Sequence, residues 1–418
     1  MQLKKIRGTV DIYNKKMSSF NYVVSIIKKL SYRYCFNEVS TPIIENSQIF
    51  YRTLGETSDV VNKETYSFID RDKTHITLRP EFTTPIIRFI LSNGMLQSLP
   101  LRLFSYGPLF RHERPQKARL RQFHQANFEY IGCSSIHADI EILLLAYHII
   151  NEFNISDNIQ LKVNTLGTQQ CIHNYTNALV TYLSKYKNDL SDLTRQRLIK
   201  NPLRILDTKV IKEQEILNNA PLLHNFLNTE SKNRFEKVLS SLDLLNITYE
   251  VTTRLVRGLD YYSGFVFEFV TSKLGSQGTV LAGGRYDNLI HQMGAKSTPG
   301  IGFAVGIERI IELIDTPTDN RKKSQIIYLI PIGKNAEDYA HTIAQELRKM
   351  NFNVLTDYGI VLKKKMQKAN KMNFKYSILF GDDDIKDKNF ILKNMHSSKE
   401  IRMKKDELIL FLKSHHLS

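Results

Sequence analysis

"RQFHQANFEYIG" (121–132) reads as a strand with two unlike faces. Side chains alternate along an extended chain. Arg121, Phe123, Gln125, Asn127 and Glu129 then share one face, and Gln122, His124, Ala126, Phe128 and Tyr130 share the other. The first face holds a cation, an aromatic plate, two amides and a carboxylate. A solvent-facing strand can have that composition. So can the floor of a polar pocket, with Phe123 stacking on a flat ring and Glu129 accepting a hydrogen bond at depth. The preceding "FRHERPQKARL" (110–120) adds Arg111, Arg114, Lys117 and Arg119, so five cations fall between positions 111 and 121. Guanidinium groups grip phosphate oxygens in pairs. A basic loop beside an aromatic plate suits a nucleotide triphosphate; an exposed basic hairpin has the same sequence.

The whole chain sets bounds on these readings. Its 418 residues imply two or more domains, and 42% hydrophobic content allows a large core. No apolar run approaches the roughly 18 residues that cross a bilayer. The opening "MQLKKIRGTVDIY" has no apolar secretory core, so a cytoplasmic protein with no membrane partner is expected. Cys35, Cys133 and Cys171 stand too far apart for a disulfide framework or a metal motif. A net charge of +16 suggests a polyanionic partner, or else a bias toward solvated lysines. Residues 321–418 carry +9 of it and the other 320 residues +7. This basic tail follows "TPTDNRKKS" (316–324), and a domain boundary is expected at 315–324.

Periodicity predicts a helix over 18–35, a strand over 37–44, a hairpin over 66–80 and a short helix over 85–92. Strands are expected at 101–111 and 121–131, a helix at 135–150, and a strand in "IQLKVNTLG" (159–167). Residues 169–240 read as a helical insertion without a catalytic motif. Strand signals return at 247–270 and 278–283, and "GIGFAVGIERIIELI" (300–314) reads as a strand entering a helix. In the tail, "QIIYLIPI", "FNVLTD" and "YSILFG" alternate with helices at 335–350 and 361–371, which predicts a small α/β domain with parallel strands.

Several familiar motifs are absent. There is no GxxxxGK[ST] loop. "GIGFAVG" has one residue too many for a dinucleotide fingerprint and begins a strand where the fingerprint should follow one. "KMSS" (16–19) lacks the companion histidine motif of the synthetase class that uses it. Twelve scattered histidines without HExxH argue against protein-held zinc, whereas magnesium can arrive with a nucleotide. One stretch resists a purely structural reading. In "RLVRGLDYYSGFVFEF" (254–269) a regular strand is preceded by Arg257 among apolar neighbours, then Gly258, Asp260 and two tyrosines.

These pieces together carry a resemblance. "FRHERPQKARLRQFHQANFEYIG" (110–132) resembles motif 2 of class II aminoacyl-tRNA synthetases, and "GIGFAVGIERII" (300–311) resembles motif 3. "RLVRGLDYY" (254–262) and "LGSQGTVLAGGRYDNL" (274–289) look like the two signatures of the histidyl-tRNA synthetase family. "TLRPEFTT" (77–84) looks like its amino-acid loop, and "KKIRGTVDIY" (4–13) like its opening. The match runs in order from residue 4 to the C-terminus. It implies an α+β fold: an antiparallel six-stranded catalytic sheet with flanking helices over 1–320, and an α/β anticodon-binding domain over 325–418. It further implies a homodimer that forms histidyl-adenylate from histidine and ATP, then passes the histidyl group to tRNA(His). ATP with Mg²⁺ enters as substrate, and no protein-held metal is implied.

The resemblance also assigns residues. Arg257 and Arg111 would be catalytic, both on the α-phosphate, with Arg111 also reaching the histidine carboxylate. Glu81 and Gln125 would hold the α-ammonium, with Phe82 and Thr83 beside them. Glu129, Tyr262 and Tyr286 would read the imidazole next to Tyr261. Phe123 and Arg309 would sandwich adenine, and Glu113 and Arg121 would complete the ATP site. Gly283 and Gly284 would let backbone approach the substrate. One departure stands out: the family usually has Gly–Thr–Ala after the loop glutamate, and this chain has Phe82–Thr83–Thr84. A positive φ at position 82 would strain phenylalanine. Paralogues that act as regulatory subunits in histidine biosynthesis keep the fold but lack the catalytic residues and the C-terminal domain. Arg111, Arg257, Arg309 and the basic tail favour the enzyme. A general nucleic-acid binder rests on charge alone.

Overall fold

Alternating apolar segments in the first three quarters of the chain assemble eleven strands among the described residues. They are β1 (Asn37–Glu38), β2 (Ile44–Asn46), β3 (Tyr66–Ile69), β4 (His75–Leu78), β5 (Leu101–Phe110), β6 (Gln122–Ile131), β7 (Gln160–Thr165), β8 (Glu250–Val251), β9 (Phe265–Val270), β10 (Thr279–Arg285) and β11 (Gly300–Gly306). The computed structural model describes residues 3–54, 61, 64–116, 118–275, 278–314 and 326–416. It divides into two units, Met1–Thr316 and Pro317–Ser418. Lys117, Ser276, Gln277 and the linker 316–324 lie outside the described residues.

The main sheet has the order β1-β5-β6-β11-β10-β9-β7-β8. Its inner six strands are antiparallel throughout. The six-stranded sheet implied by the sequence is therefore present, and two-residue strands extend it at both edges in parallel. The expected strand over 37–44 divides in two. Pro42 has no N–H to give a ladder, and the chain leaves the main sheet there. It then joins a second sheet of order β2-β4-β3, which contains the predicted 66–80 hairpin. The expected strand over 247–270 also breaks. Only 250–251 and 265–270 pair, and 252–264 forms a loop that ends at Gly264 with φ +67°.

One face of the main sheet is closed by the helices Lys15–Arg33, Ile136–Glu152 and Thr229–Leu244. Val23, Ile27, Ile142, Leu145, Val238 and Leu242 pack there on Phe104, Phe128, Phe267 and Phe303. Ala126, Phe128 and Tyr130 of β6 point into this core. Strand alternation sends Phe123, Gln125, Asn127 and Glu129 to the opposite face. The insertion supplies the helices Gln169–Ser184, Asp192–Lys200 and Ile211–Asn218 before Thr229–Leu244. Thr168, Ser191 and Asn228 cap three of the four by accepting from Cys171, Thr194 and Ser231 backbone N–H groups.

The second unit holds β12 (Ile326–Ile332), β13 (Asn353–Thr356), β14 (Tyr376–Gly381), β15 (Asn389–Asn394) and β16 (Glu400–Lys404) in the order β13-β12-β14-β15-β16. The first three strands to appear are parallel, as expected; β15 and β16 are antiparallel additions. A parallel return needs about a dozen residues or more. Only 382–388 separate β14 from β15, so the chain must turn back on itself.

Candidate active site

On the open face of the main sheet lies a cavity of about 1370 Å³. Its floor is β6, β9, β10 and β11, and its walls are the 111–120 loop, the 252–264 loop and the insertion. Two chemically distinct regions adjoin within it.

The first is a buried polar cluster. Thr83 and Thr84 backbone N–H groups donate to the Glu81 carboxylate at 2.7 and 2.8 Å. Glu81 thus sits at the N-terminus of the helix Thr83–Ser92, where exposed N–H groups favour an anion. Burial nonetheless raises its pKa, against the pull of those bonds. Glu129 accepts from the Thr83 hydroxyl and the Asn127 amide, both at 2.6 Å, and from the Tyr286 hydroxyl. Burial, opposed by these three donors, moves its pKa up to about 7. Tyr261 donates to Glu81 across 3.5 Å, and its ring meets those of Tyr262 and Tyr286 at 4.8 and 5.8 Å. Glu81, Thr83, Asn127, Glu129, Tyr261, Tyr262 and Tyr286 are all buried, and Gln125 lines the cavity next to them.

The second region is cationic. Arg111, Arg119, Arg257 and Arg309 all line the cavity. Arg111 is fixed by an Nε bond of 2.9 Å to the Pro80 carbonyl, and its guanidinium lies 5.3 Å from the Phe123 ring centre. Arg309 donates to the Thr279 carbonyl; burial, then Arg111, lowers its pKa. Arg119 pairs with Glu113. Arg257 pairs with Glu268 and lies 5.6 Å from the Tyr262 ring centre. Burial works against the Arg257 charge, but Glu268 and the two tyrosines hold its pKa above the ordinary value. Its Nε is buried with no hydrogen-bond partner, which leaves a donor for an anion. His124 and Glu308 join the strand of one motif to the helix of the other, Nδ1 to Oε1 at 2.7 Å, and so steady the helix that carries Arg309.

The profile of the histidyl-tRNA synthetase family matches residues 8–310. The chain belongs to that family. An anticodon binding domain profile matches residues 327–415. The histidine–tRNA ligase of Wolbachia pipientis wMel is 46% identical over 409 residues, 98% of this chain and 99% of that protein. The Rickettsia bellii (strain RML369-C) ligase is 41% identical over 413 residues, with 99% of each covered. The apo histidyl-tRNA synthetase of S. aureus superposes with a TM-score of 0.81 at 29% identity, covering 99% of this chain and 100% of that one. A Bacillus halodurans protein described as an ATP phosphoribosyltransferase regulatory subunit/histidyl-tRNA synthetase shares the fold, with a TM-score of 0.64 at 20% identity, covering 91% and 99%.

Several residues sit differently from what the histidyl-tRNA synthetase resemblance implied. Phe82 adopts φ −103°, so phenylalanine fits without left-handed strain. Its ring packs in the core 4.3 Å from the Arg79 guanidinium and does not line the cavity. Arg121 precedes the first ladder pair of β6 and lies against Gly8; Arg119 lines the cavity instead. Gly283 and Gly284 serve strand packing. A Cβ on Gly283 would fall 2.2 Å from the Gly302 carbonyl, and one on Gly284 2.6 Å from that of Phe265. Asp260 is exposed and accepts from Asn201. Glu129 and Tyr286 lie behind the lining, in the depth of the cluster.

The sequence reading missed two synthetase residues that matter here. Strand alternation alone makes Glu268 an ordinary residue of β9, yet it partners Arg257 in the cavity. A lone carboxylate between Val266 and Val270 was the available signal. Gly302 faces Glu129 across β11 and β6, where a Cβ would stand 1.9 Å from Glu129 Oε2. Among the described residues no group of three or more His, Cys, Asp or Glu could hold a metal ion.

Proposed function

We propose that the two adjoining regions bind histidine and ATP with the reacting atoms at their border. The chain is a ligase that joins histidine to its tRNA through histidyl-adenylate. The observation that carries the site assignment is the placement of Arg111, Arg119, Arg257 and Arg309 beside a buried, carboxylate-containing polar cluster in one cavity. A histidine carboxylate oxygen attacks the α-phosphorus of ATP, forming a P–O bond as pyrophosphate leaves with the electrons of the broken one. Arg257 meets charge growing on the α-phosphate oxygens; pre-placed donors of this kind are worth about 10²–10³-fold each. Arg111 holds the phosphate and the carboxylate together. Phe123 and Arg309 take the two faces of adenine, and Glu113 and Arg119 complete the nucleotide side. Glu81 and Gln125 receive the α-ammonium. Glu129, with Tyr286 and Tyr262, reads the imidazole N–H, and buried polar partners of this kind reject analogues that cannot satisfy them. A terminal ribose hydroxyl of tRNA then attacks the histidyl carbonyl, and AMP leaves.

Mg²⁺ enters with ATP as part of the substrate. The basic second unit, with an anticodon-binding profile, supports tRNA recognition by a part of the chain other than the one that carries the chemistry. A homodimer is the working unit in this reading. Ile44, Phe68 and Ile69 of the small sheet are exposed and apolar, which agrees with cover by a second copy. No helix among the described residues is long and apolar enough to cross a membrane, in keeping with a cytoplasmic role. The test is ATP–pyrophosphate exchange, which should require histidine and no tRNA. Exchange driven equally by other amino acids would overturn the site assignment.

A further inference from the structure

The loop 252–264 contains no helix or strand, yet it carries Arg257, Tyr261 and Tyr262. Main-chain groups of such a segment must find partners elsewhere. The sheet holds its two ends. Thr252 N–H donates to the Val163 carbonyl at 3.0 Å, and Ser263 and Gly264 N–H groups donate to the Arg285 and Gly167 carbonyls at 2.8 and 2.9 Å. The insertion reaches the middle. Arg204 Nη2 donates to the Gly258 carbonyl, and Asn201 Nδ2 donates to Asp260 Oδ1 at 2.8 Å. Arg204 Nη1 lies 3.3 Å from where a Cβ on Gly258 would stand, so the guanidinium rests against this peptide. Arg254 Nη2 adds a bond of 2.8 Å to the Leu217 carbonyl at the end of the helix Ile211–Asn218.

Segment 201–204 is itself anchored. Asn201 N–H donates to the Arg197 carbonyl at 2.8 Å, and Arg204 N–H to that of Asn201 at 3.1 Å. Behind it, buried Glu213 accepts from the Ser191 N–H and from the Thr194 and Thr208 hydroxyls, which fastens the helix Asp192–Lys200 to the following turn. Arg204 and Asn201 therefore take hold one and three residues beyond Arg257, from a part of the chain more than fifty residues away.

We infer that Arg204 is a positioning residue for activation: the insertion, through Arg204 and secondarily Asn201, holds the loop that aims Arg257 at the α-phosphate. The inference rests on the proposed role of Arg257. A misplacement of about 1 Å at a reacting centre can cost about 10²-fold, so the hold on this loop can govern the rate. Arg204 also lines the cavity with a buried, unpartnered Nε, and unchanged KM values are what separate a hold on the loop from a hold on substrate.

The experiment uses the full-length protein, with Arg204→Ala, Arg204→Lys, Arg257→Ala and the Arg204→Ala/Arg257→Ala double variant, assayed by histidine-dependent pyrophosphate exchange and single-turnover adenylate formation. Arg204→Ala should lower kcat by about 10- to 50-fold while the KM values for ATP and histidine stay within about 3-fold. Arg204→Lys, which can still donate to one carbonyl, should recover most of the loss. The double variant should be no slower than Arg257→Ala, because a residue acting through another shows non-additive effects. Wild-type kcat in Arg204→Ala beside an impaired Arg257→Ala overturns the positioning role alone. A raised ATP KM, or an equal further loss in the Arg257→Ala background, also overturns it, since Arg204 would then meet substrate directly. Wild-type activity in Arg257→Ala overturns the catalytic assignment on which the inference stands. If Arg204→Ala does not fold, Asn201→Ala carries the test, with a loss of a few-fold in kcat expected and wild-type kcat overturning the inference.

Discussion

A fixed cation at the mouth of an apolar strand is costly unless a carboxylate meets it, and Glu268 does so for Arg257. That pairing leaves the cation charged and still offers Nε to a ligand. Arg257→Ala should slow adenylate formation by roughly 10²-fold or more in pre-steady-state assays. Dissociation constants for ATP and histidine should shift far less, since the charge it meets grows in the transition state. Glu129 gives a second residue-level expectation. Its pKa rises from the usual glutamate range to about 7, so the folded protein binds an extra proton between those values. The stabilising contribution is full below the unfolded pKa and is lost as pH rises through about 7. The midpoint of thermal unfolding should therefore fall from pH 5 to pH 8, and Glu129→Gln should fall less over that window. The same variant should raise the KM for histidine and leave that for ATP nearly unchanged. An ATP-only effect would move Glu129 to the nucleotide side.

Among the elements, the pairing of β6 with β11 sets the depth of the proposed histidine region. Gly302 stands opposite Glu129, and its missing side chain makes room for the carboxylate. Gly302→Ala would place a methyl 1.9 Å from Glu129 Oε2 and 2.5 Å from the Phe128 carbonyl. Overpacking of this kind costs about 1–3 kcal/mol, and the carboxylate must leave its three donors. A lower unfolding midpoint together with a histidine KM raised about 10-fold or more is expected. A normal histidine KM in this variant would show that the carboxylate reads nothing. Element existence was legible from period alone at β5, β6 and the helix Ile136–Glu152. The break at 252–264 was not. Its apolar residues mimic a strand, while its hydrogen bonds go to an insertion remote in sequence.

For the whole molecule, charge and chemistry are divided between two units. The second has its own cores, with Ile327, Leu329, Ile378 and Leu412 on one side of its sheet and Tyr328, Ile330 and Phe374 on the other. A chain ending near Thr318 loses this basic unit and none of the proposed active-site residues. It should still exchange pyrophosphate with histidine, provided sedimentation shows the same oligomer as the full chain. Charging of tRNA should fall sharply, through weaker, salt-dependent binding and loss of anticodon discrimination. Full charging with unchanged anticodon preference would place recognition in the first unit, and loss of exchange would give the second unit a supporting role in activation.

The sequence by itself determined the large outline: strands at 101–111 and 121–131, the polar face of the second, a strand entering a helix over 300–314, and the separate α/β tail. These follow from side-chain alternation and turn chemistry, which act over a few residues. It also singled out Arg111, Phe123, Arg257 and Arg309, which line one cavity, because their motifs are local. Tertiary structure alone decided which charges meet. It put Arg119 in the cavity where Arg121 was expected, turned Asp260 toward Asn201, gave Arg257 to Glu268, and brought the insertion up as a wall. Such pairings join residues up to 184 positions apart, as His124 and Glu308 are. They are set by how the packed elements happen to face one another, and no local pattern encodes that.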